Sequence, residues 1–292
     1  MTAIRPRRSV LYMPGSNARA LEKAKTLPAD ALILDLEDAV APDAKASARD
    51  QVCGAVKAGG YGPREVIIRA NGLDTPWGRD DILAAAAARP DGILIPKVSN
   101  PETLQEVGKL LAGAPDNIRV WAMVETPAAM LDIARISAAA RDRSTRLACF
   151  VMGTNDLAKE TRARFVPGRA PMLPWLSLAL TAARAEGLDI LDGVYNNISD
   201  MDGFRAECEQ GRDFGFDGKT LIHPTQVEPA NEIFAPPAAE VAWARKIIAA
   251  FQLPENAGKG VLSVDGKMVE ILHAEMGKRV VAVADAIAAR QG

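Results

Sequence analysis

EVIIRANGLDTPWGRDDILAAAAARPDGILIPKVSNPETLQEVGKLLAGAPDNIRVWAMVE, residues 65–125, holds three short apolar runs separated by two helix-like segments. EVIIRAN (65–71), GILIPKV (92–98) and IRVWAMVE (118–125) are nearly continuous in apolar residues until a polar residue closes each one. Strands buried on both faces of a parallel sheet have this form, because water reaches neither face. The segments between them, RDDILAAAAA and NPETLQEVGKLLA, predict helices. Asn100-Pro101 supplies a capping side chain before a first-turn proline, and Thr126-Pro127 repeats the device after the third run.

The same rhythm extends in both directions. SVLYMPG (9–15) and ALILDLED (31–38) precede this stretch; LACFVMG (147–153), LDILDGVYN (188–196) and FDGKTLIHP (216–224) follow it. NARALEKAK, DAKASARDQVCGAV, TPAAMLDIARISAAA, PWLSLALTAARAEG and DMDGFRAECEQGRDFG predict the remaining helices, with Gly187 and Gly215 as stops. Eight alternations predict an α/β fold, a closed (β/α)8 TIM barrel, with an open doubly wound sheet as the alternative. Residues 1–235 read as the barrel catalytic domain. Residues 236–292 read as a C-terminal helical extension: APPAAEVAWARKIIAAF as one helix, LPENAGKGVLSVDG as a connector, and GKMVEILHAEMGKRVVAVADAIAAR as a second helix. That second helix carries an apolar stripe of Met268, Ile271, Leu272, Met276, Val280 and Val281, able to pack on its own barrel or on a neighbouring subunit.

The chain of 292 residues suits one barrel of roughly 250 residues plus an appendage. Its net charge of −2 gives no reason to expect a nucleic-acid or membrane partner. Arg5, Arg7, Arg8, Arg19, Lys23 and Lys25 nonetheless cluster near the start, either as a solvated basic arm or as a landing site for a phosphorylated ligand. Cys53, Cys149 and Cys208 match neither a disulfide framework nor a zinc pattern, which suggests reduced thiols in a cytoplasmic protein. MTAIRPRRSVLYMPG lacks the apolar core of a secretory signal, and no run approaches the roughly 18 apolar residues of a membrane span.

Barrel enzymes do their chemistry at the C-terminal ends of the strands. There this chain places Asp35, Glu37 and Asp38, then Arg69 and Asn71, Lys97, Glu125, Asp156, Asp192 and Tyr195, and His223. Only two histidines are present, which excludes a multi-histidine zinc or iron site, and no P-loop, GxSxG or GxGxxG occurs. What remains is a pair of carboxylates, Glu125 and Asp156, on adjacent strand ends beside cations. Hard oxygen donors of this kind suit magnesium, which takes one or two carboxylates and leaves positions for water and substrate. Taken singly, Glu125 could cap the following helix and Asp156 could be a first-turn carboxylate favoured by the helix dipole. Arg69 could form a structural ion pair, Glu37 and Asp38 could orient metal-bound water or be ordinary loop residues, and His223 reads as structural.

At these residues the chain resembles the citrate-lyase β-subunit-like family of the aldolase/citrate lyase superfamily, which includes malyl-CoA and citramalyl-CoA lyases. The phrases RRSVLYMPGSNARALEKA, LILDLEDAVAPDAKASAR, IIRANGLDTPWGRDDI, GILIPKVSNPETL, VETPAAM, GTNDLAKE and GFDGKTLIHPTQV carry the likeness, in order, across residues 7–227. The resemblance implies magnesium on Glu125 and Asp156, with manganese able to substitute, and Arg69 facing the metal. It also implies coenzyme A as part of the substrate, bound with help from Arg8, Arg19, Lys25 and Lys97, and a homotrimer or hexamer. The implied reaction cleaves or forms a β-hydroxyacyl-CoA thioester, exchanging it for a 2-oxo acid plus an acyl-CoA. The family's Met-Ile-Asp tail, whose aspartate moves a proton, is here Met268-Val269-Glu270; Glu270 keeps the carboxylate on a side chain one methylene longer. Other members suggest alternatives: a citrate-lyase β-subunit acting on an acyl-carrier-protein thioester, a 2-oxo-acid aldolase without CoA, or a non-catalytic CoA-binding relative.

Overall fold

The computed structural model describes residues 4–291. Eight parallel strands close into a barrel in sequence order: β1 (Ser9–Pro14), β2 (Ala31–Asp35), β3 (Glu65–Arg69), β4 (Gly92–Ile95), β5 (Arg119–Val124), β6 (Leu147–Met152), β7 (Asp189–Asp192) and β8 (Gly218–Leu221). Ser9 lies opposite Lys219, so the last strand closes on the first. All eight apolar runs therefore form strands, and the open-sheet alternative falls. The barrel interior is packed with Val10, Ala31, Ile33, Ile67, Leu94, Trp121, Met123, Cys149, Val151 and Leu191, all buried. Side chains alternate along a strand, so the inward position beyond the last of these on each strand belongs to the C-terminal mouth.

The connecting helices are α1 (Ala18–Ala24), α2 (Lys45–Ala58), α3 (Gly78–Ala88), α4 (Pro101–Leu110), α5 (Pro127–Ala138), α6 (Thr154–Thr161), α7 (Leu173–Ala185), α8 (Met201–Phe214) and α9 (Val227–Ile233). Asn100 and Thr126 cap α4 and α5 by accepting the backbone N–H of Thr103 and Ala129. The β6–β7 connection carries two helices, α6 and α7, where the strand–helix rhythm supplied one. The three cysteines are buried and free. Among the described residues no helix is long and apolar enough to cross a membrane.

For Arg7 and Arg8, both readings of the basic start need correction. Arg7 is buried beneath the barrel, where it grips Glu65 through Nε and Nη2 at 2.7 and 2.8 Å, pairs with Asp189, and lies 4.8 Å over the Trp121 ring. Arg8 grips Asp30 through Nε and Nη2 at 2.8 and 2.9 Å. Both residues precede β1, so they lie at the N-terminal ends of the strands, where arginine forks buried against carboxylates close the bottom of the barrel.

Arg7–Asn231 form one compact unit; the described residues outside it form a second. The second unit contains α10 (Ala238–Gln252), a hairpin of β9 (Val261–Val264) and β10 (Lys267–Glu270), and α11 (Ile271–Gln291). Its core is Ile247, Val264, Val269 and Ala274, flanked by Trp243, Phe251 and Leu262. The hairpin corrects the reading of residues 260–270 as connector and helix. Asp265-Gly266 both adopt positive φ, 50° and 75°, the geometry of a two-residue turn that matches the twist of paired strands. Met268 therefore belongs to a strand, and the helix starts after it. Met268, Ile271, Leu272 and Met276 are all exposed in this unit.

Candidate active site

The C-terminal mouth of the barrel holds the acidic group. Glu125 is the inward residue directly beyond β5 and is 1% exposed. Its Oε1 accepts the backbone N–H of Lys97 at 2.6 Å, offered by a residue in left-handed conformation with φ 52°. Gly153, directly after β6, makes room for it. A Cβ there would lie 2.3 Å from Glu125 Cβ and 2.6 Å from its Oε2. Gly153→Ala is accordingly expected to displace the glutamate and lower kcat/KM about a hundredfold, the cost typical of a misplacement near 1 Å. Unchanged steady-state kinetics in that variant would show that Glu125 tolerates being moved.

Arg69 ends β3 opposite Asp35 of β2, and both point inward. Arg69 Nε and Nη2 donate to the two oxygens of Asp35 at 2.7 and 2.6 Å, a two-pronged contact. The same guanidinium lies 5.0 Å over the Tyr12 ring and reaches Glu37 at 2.6 Å and Asp38 at 3.3 Å. Asp35 also accepts the N–H groups of Glu37 (2.8 Å) and Ala39 (3.1 Å), so it shapes the loop that carries Glu37. Lys45 holds that loop from behind through the carbonyls of Leu36 and Glu37 and through Asn71 Oδ1.

The mouth is short of positive charge. Burial, and then the nearby charge of Glu37, raises the Glu125 carboxyl to about 8, and Asp156 adds to the effect. Burial likewise raises Glu37 to about 6 despite the opposing pull of Arg69. Lys97, whose ammonium is half-exposed and 3.7 Å from Glu37, is held above its ordinary range by Glu37, Glu125 and Asp156, although its burial acts the other way. Glu37 Oε2 is buried without a hydrogen bond, because Arg69 approaches it out of line. Asp156, in the first turn of α6, is half-buried and makes no side-chain hydrogen bond among the described residues. Among those residues no cluster of three or more His, Cys, Asp or Glu forms a ready-made metal cage. Glu125 and Asp156, with Glu37 nearby, nevertheless fit magnesium, which takes one or two carboxylates and keeps most of its shell for water and substrate oxygens.

This electrostatic arrangement has a pH consequence. A carboxyl raised from its ordinary 4.5 to about 8 keeps its proton in the fold after the unfolded chain has lost it. Metal-free protein should therefore lose stability as the pH rises from about 4.5 to 8, and magnesium should restore it. In EDTA, the melting-temperature advantage of Glu125→Gln over the parent should grow between pH 5 and pH 8. A constant difference across that range would contradict a buried, protonated Glu125.

Of the residues expected at the site, Glu125, Asp156, Arg69, Glu37, Asp38 and Lys97 do meet at one mouth. Arg19 is exposed on the first turn of α1, directly after β1, on the same end of the barrel. Arg8 and Lys25 do not join them. Arg8 is committed to Asp30 at the opposite end. Lys25 caps the far end of α1, pairs with Glu22 at 2.7 Å and lies 5.5 Å over Tyr61. Glu270 ends β10 in the other unit; its backbone N–H donates to His273 Nδ1 at 2.9 Å and its side chain is exposed. Asp192 points away from the barrel interior and pairs with Arg169 and Lys219. His223 is structural, its Nδ1 meeting Thr225 Oγ1 at 2.8 Å. Asp35 stands among the strand-end carboxylates in the sequence without an assigned role, and Gly153 is not singled out there. The register that sets Asp35 against Arg69 was the available signal for the first. A cavity of about 410 Å³ opens at this mouth, with Tyr12, Asp35, Arg69, Met123, Asp156 and Thr220 among its walls.

A profile of the HpcH/HpaI aldolase/citrate lyase family matches residues 8–224. The chain is 54% identical over 284 residues to a (3S)-malyl-CoA thioesterase of Cereibacter sphaeroides, covering 97% of this chain and 96% of that one. It is 34% identical to an L-malyl-CoA/beta-methylmalyl-CoA lyase of the same organism, covering 98% and 96%. Among solved structures it is similar to Mycobacterium tuberculosis CitE in complex with magnesium, acetoacetate and coenzyme A. That match has a TM-score of 0.74 and 28% identity, covering 96% of this chain and 99% of that one.

Proposed function

Because the chain belongs to the HpcH/HpaI aldolase/citrate lyase family, we propose that it is a magnesium-dependent enzyme that hydrolyses a malyl-CoA-type thioester. The observation that carries this reading is the 54% identity, over nearly the whole of both chains, to (3S)-malyl-CoA thioesterases. Hydrolysis was not among the reactions expected from sequence. In it, water adds to the thioester carbonyl, the carbon–sulfur bond breaks, and coenzyme A leaves as a thiol beside free malate. Second to it stands the carbon–carbon cleavage expected from sequence, to a 2-oxo acid and an acyl-CoA, favoured by the 34% identical lyase. The CitE complex with magnesium and coenzyme A supports that pair of ligands for either reaction.

Glu125 and Asp156 would hold the ion. Bound there, magnesium supplies Lewis-acid polarisation and a template for substrate oxygens. Glu37, raised to about 6 by burial although Arg69 lies 2.6 Å from its Oε2, would accept a proton from the attacking water near neutral pH. Arg69, fixed by Asp35, presents a preorganised positive charge toward the reacting oxygens. Arg19 and Lys97, on the same mouth, are the cations placed to meet the CoA phosphates. In the carbon–carbon reading Glu270 is the proton carrier, supplied by a neighbouring subunit of a homotrimer or hexamer; light scattering tests the assembly.

Release of thiol from (3S)-malyl-CoA, followed with a thiol reagent, tests the main reading. Release should stop in EDTA and return with added magnesium. Thiol release indifferent to EDTA, or none at all, would overturn it.

A further inference from the structure

Tyr12 stands in β1 two residues beyond Val10 of the packed interior and in register with Ile33, so its side chain also points into the barrel. It reaches across to β5, which faces β1 in the closed strand order, and its Oη donates to Met123 Sδ at 3.9 Å. Tyr12 and Met123 both line the cavity at the C-terminal mouth. Since Tyr12 is partly exposed while pointing inward, what it exposes faces that cavity.

The ring and the hydroxyl of this residue have separate explanations. The ring lies under the Arg69 guanidinium at 5.0 Å, a contact that a phenylalanine ring would make as well. The hydroxyl adds nothing to it. Among the described residues its hydrogen-bond partner is the Met123 thioether, a weak acceptor, whereas a tyrosine in a protein interior ordinarily finds a strong one. Arg69 Nη1 donates to the same sulfur at 3.7 Å. Two donors, one neutral and one charged, thus converge on one poor acceptor in the cavity wall. A substrate oxygen accepts better than sulfur, and the unbranched Met123 side chain can turn aside for it. Burial, and then the charges of Asp35, Glu125 and Glu37, hold the phenol above its ordinary range against the pull of Arg69, so it remains a donor.

We propose that Tyr12 is a catalytic residue whose hydroxyl, together with Arg69 Nη1, holds the thioester carbonyl oxygen of the substrate. The inference rests on the malyl-thioester reading and adds a residue to it. As water adds to the thioester carbon, an electron pair of the carbonyl bond moves onto that oxygen. The pair returns when the carbon–sulfur bond breaks, and the proton lost by the water ends on the departing sulfur. In carbon–carbon cleavage the same oxygen carries the charge of the enolate. In both reactions Tyr12 keeps its proton, and its hydrogen bond strengthens as the charge develops.

Tyr12→Phe keeps the ring beneath Arg69 and removes the hydroxyl alone. It should lower kcat about a hundredfold or more, as loss of one oxyanion donor does, and leave KM within about threefold. Thiol and glyoxylate release are both followed, so turnover is read whichever bond of malyl-CoA breaks. Infrared difference spectra of acetyl-CoA labelled with carbon-13 at its carbonyl, bound in the presence of magnesium, report the hydrogen bonds directly. The carbonyl stretch should lie at lower wavenumber in the parent than in Tyr12→Phe, with the melting temperature unchanged. A parent that turns over malyl-CoA, with kcat the same in Tyr12→Phe, would overturn the inference and leave the malyl-thioester reading standing. So would a carbonyl stretch identical in the two proteins. Should malyl-CoA not react, that reading fails, and the acetyl-CoA spectra decide the role of Tyr12. A protein that binds no acyl-CoA overturns both.

Discussion

Glu125→Gln is expected to abolish measurable magnesium binding in calorimetry and to lower kcat/KM about a thousandfold or more. Glutamine keeps the size of the side chain and an oxygen to accept the Lys97 N–H, so the loop geometry survives. What it lacks is charge, and a hard dication depends on that charge. A metal that polarises the reacting oxygens contributes several kcal/mol to the barrier, and each 1.4 kcal/mol is tenfold in rate. The same variant is expected to be more stable than the parent in EDTA at pH 8, because it no longer buries an ionising carboxyl. A protein that is more stable, inactive and blind to magnesium is hard to explain by damage to the fold. Retained magnesium-dependent turnover would remove Glu125 from the metal site.

Asp35→Ala carries the next largest effect, on stability as well as activity. It would leave the Arg69 guanidinium in a pocket where that residue is 6% exposed. Removing one member of a buried pair costs about 3–5 kcal/mol, mostly because the remaining charge stays desolvated, and the low end applies here because Glu37 and Asp38 still face Arg69. For a chain of this length that corresponds to roughly 10 °C in melting temperature. The loop bearing Glu37 would also lose two backbone bonds to Asp35. Adding Arg69→Met should recover a good part of the lost stability without recovering activity. A melting temperature unchanged in Asp35→Ala would mean that the pair does not anchor the mouth.

How much of this was legible beforehand follows from what a linear chain can express. Burial on both faces leaves a local trace, so EVIIRAN, GILIPKV and their kin read as strands without any knowledge of partners. The position of a charge relative to the end of its strand is local too, which is why Glu125, Asp156 and Arg69 stood out. Arg8 and Lys25 lie near Arg19 in sequence but not in space. One precedes its strand and the other ends its helix, and a barrel holds such positions at the end opposite its strand tips. In GKMVEILHAEMG a helical period was read through Met268, yet the Asp265-Gly266 turn overrode it and bent the segment into a hairpin. The choice between breaking a carbon–carbon and a carbon–sulfur bond left no trace in spacing at all, since the same metal and arginine serve both.

The most direct measurement is the fate of (3S)-malyl-CoA and magnesium in water enriched in oxygen-18. Hydrolysis at this mouth should give malate bearing one heavy oxygen in the carboxylate that was the thioester, with an equal amount of free coenzyme A and no glyoxylate. Glyoxylate and acetyl-CoA in equal amounts, with no free thiol and no label in malate, would show that this enzyme breaks the carbon–carbon bond instead.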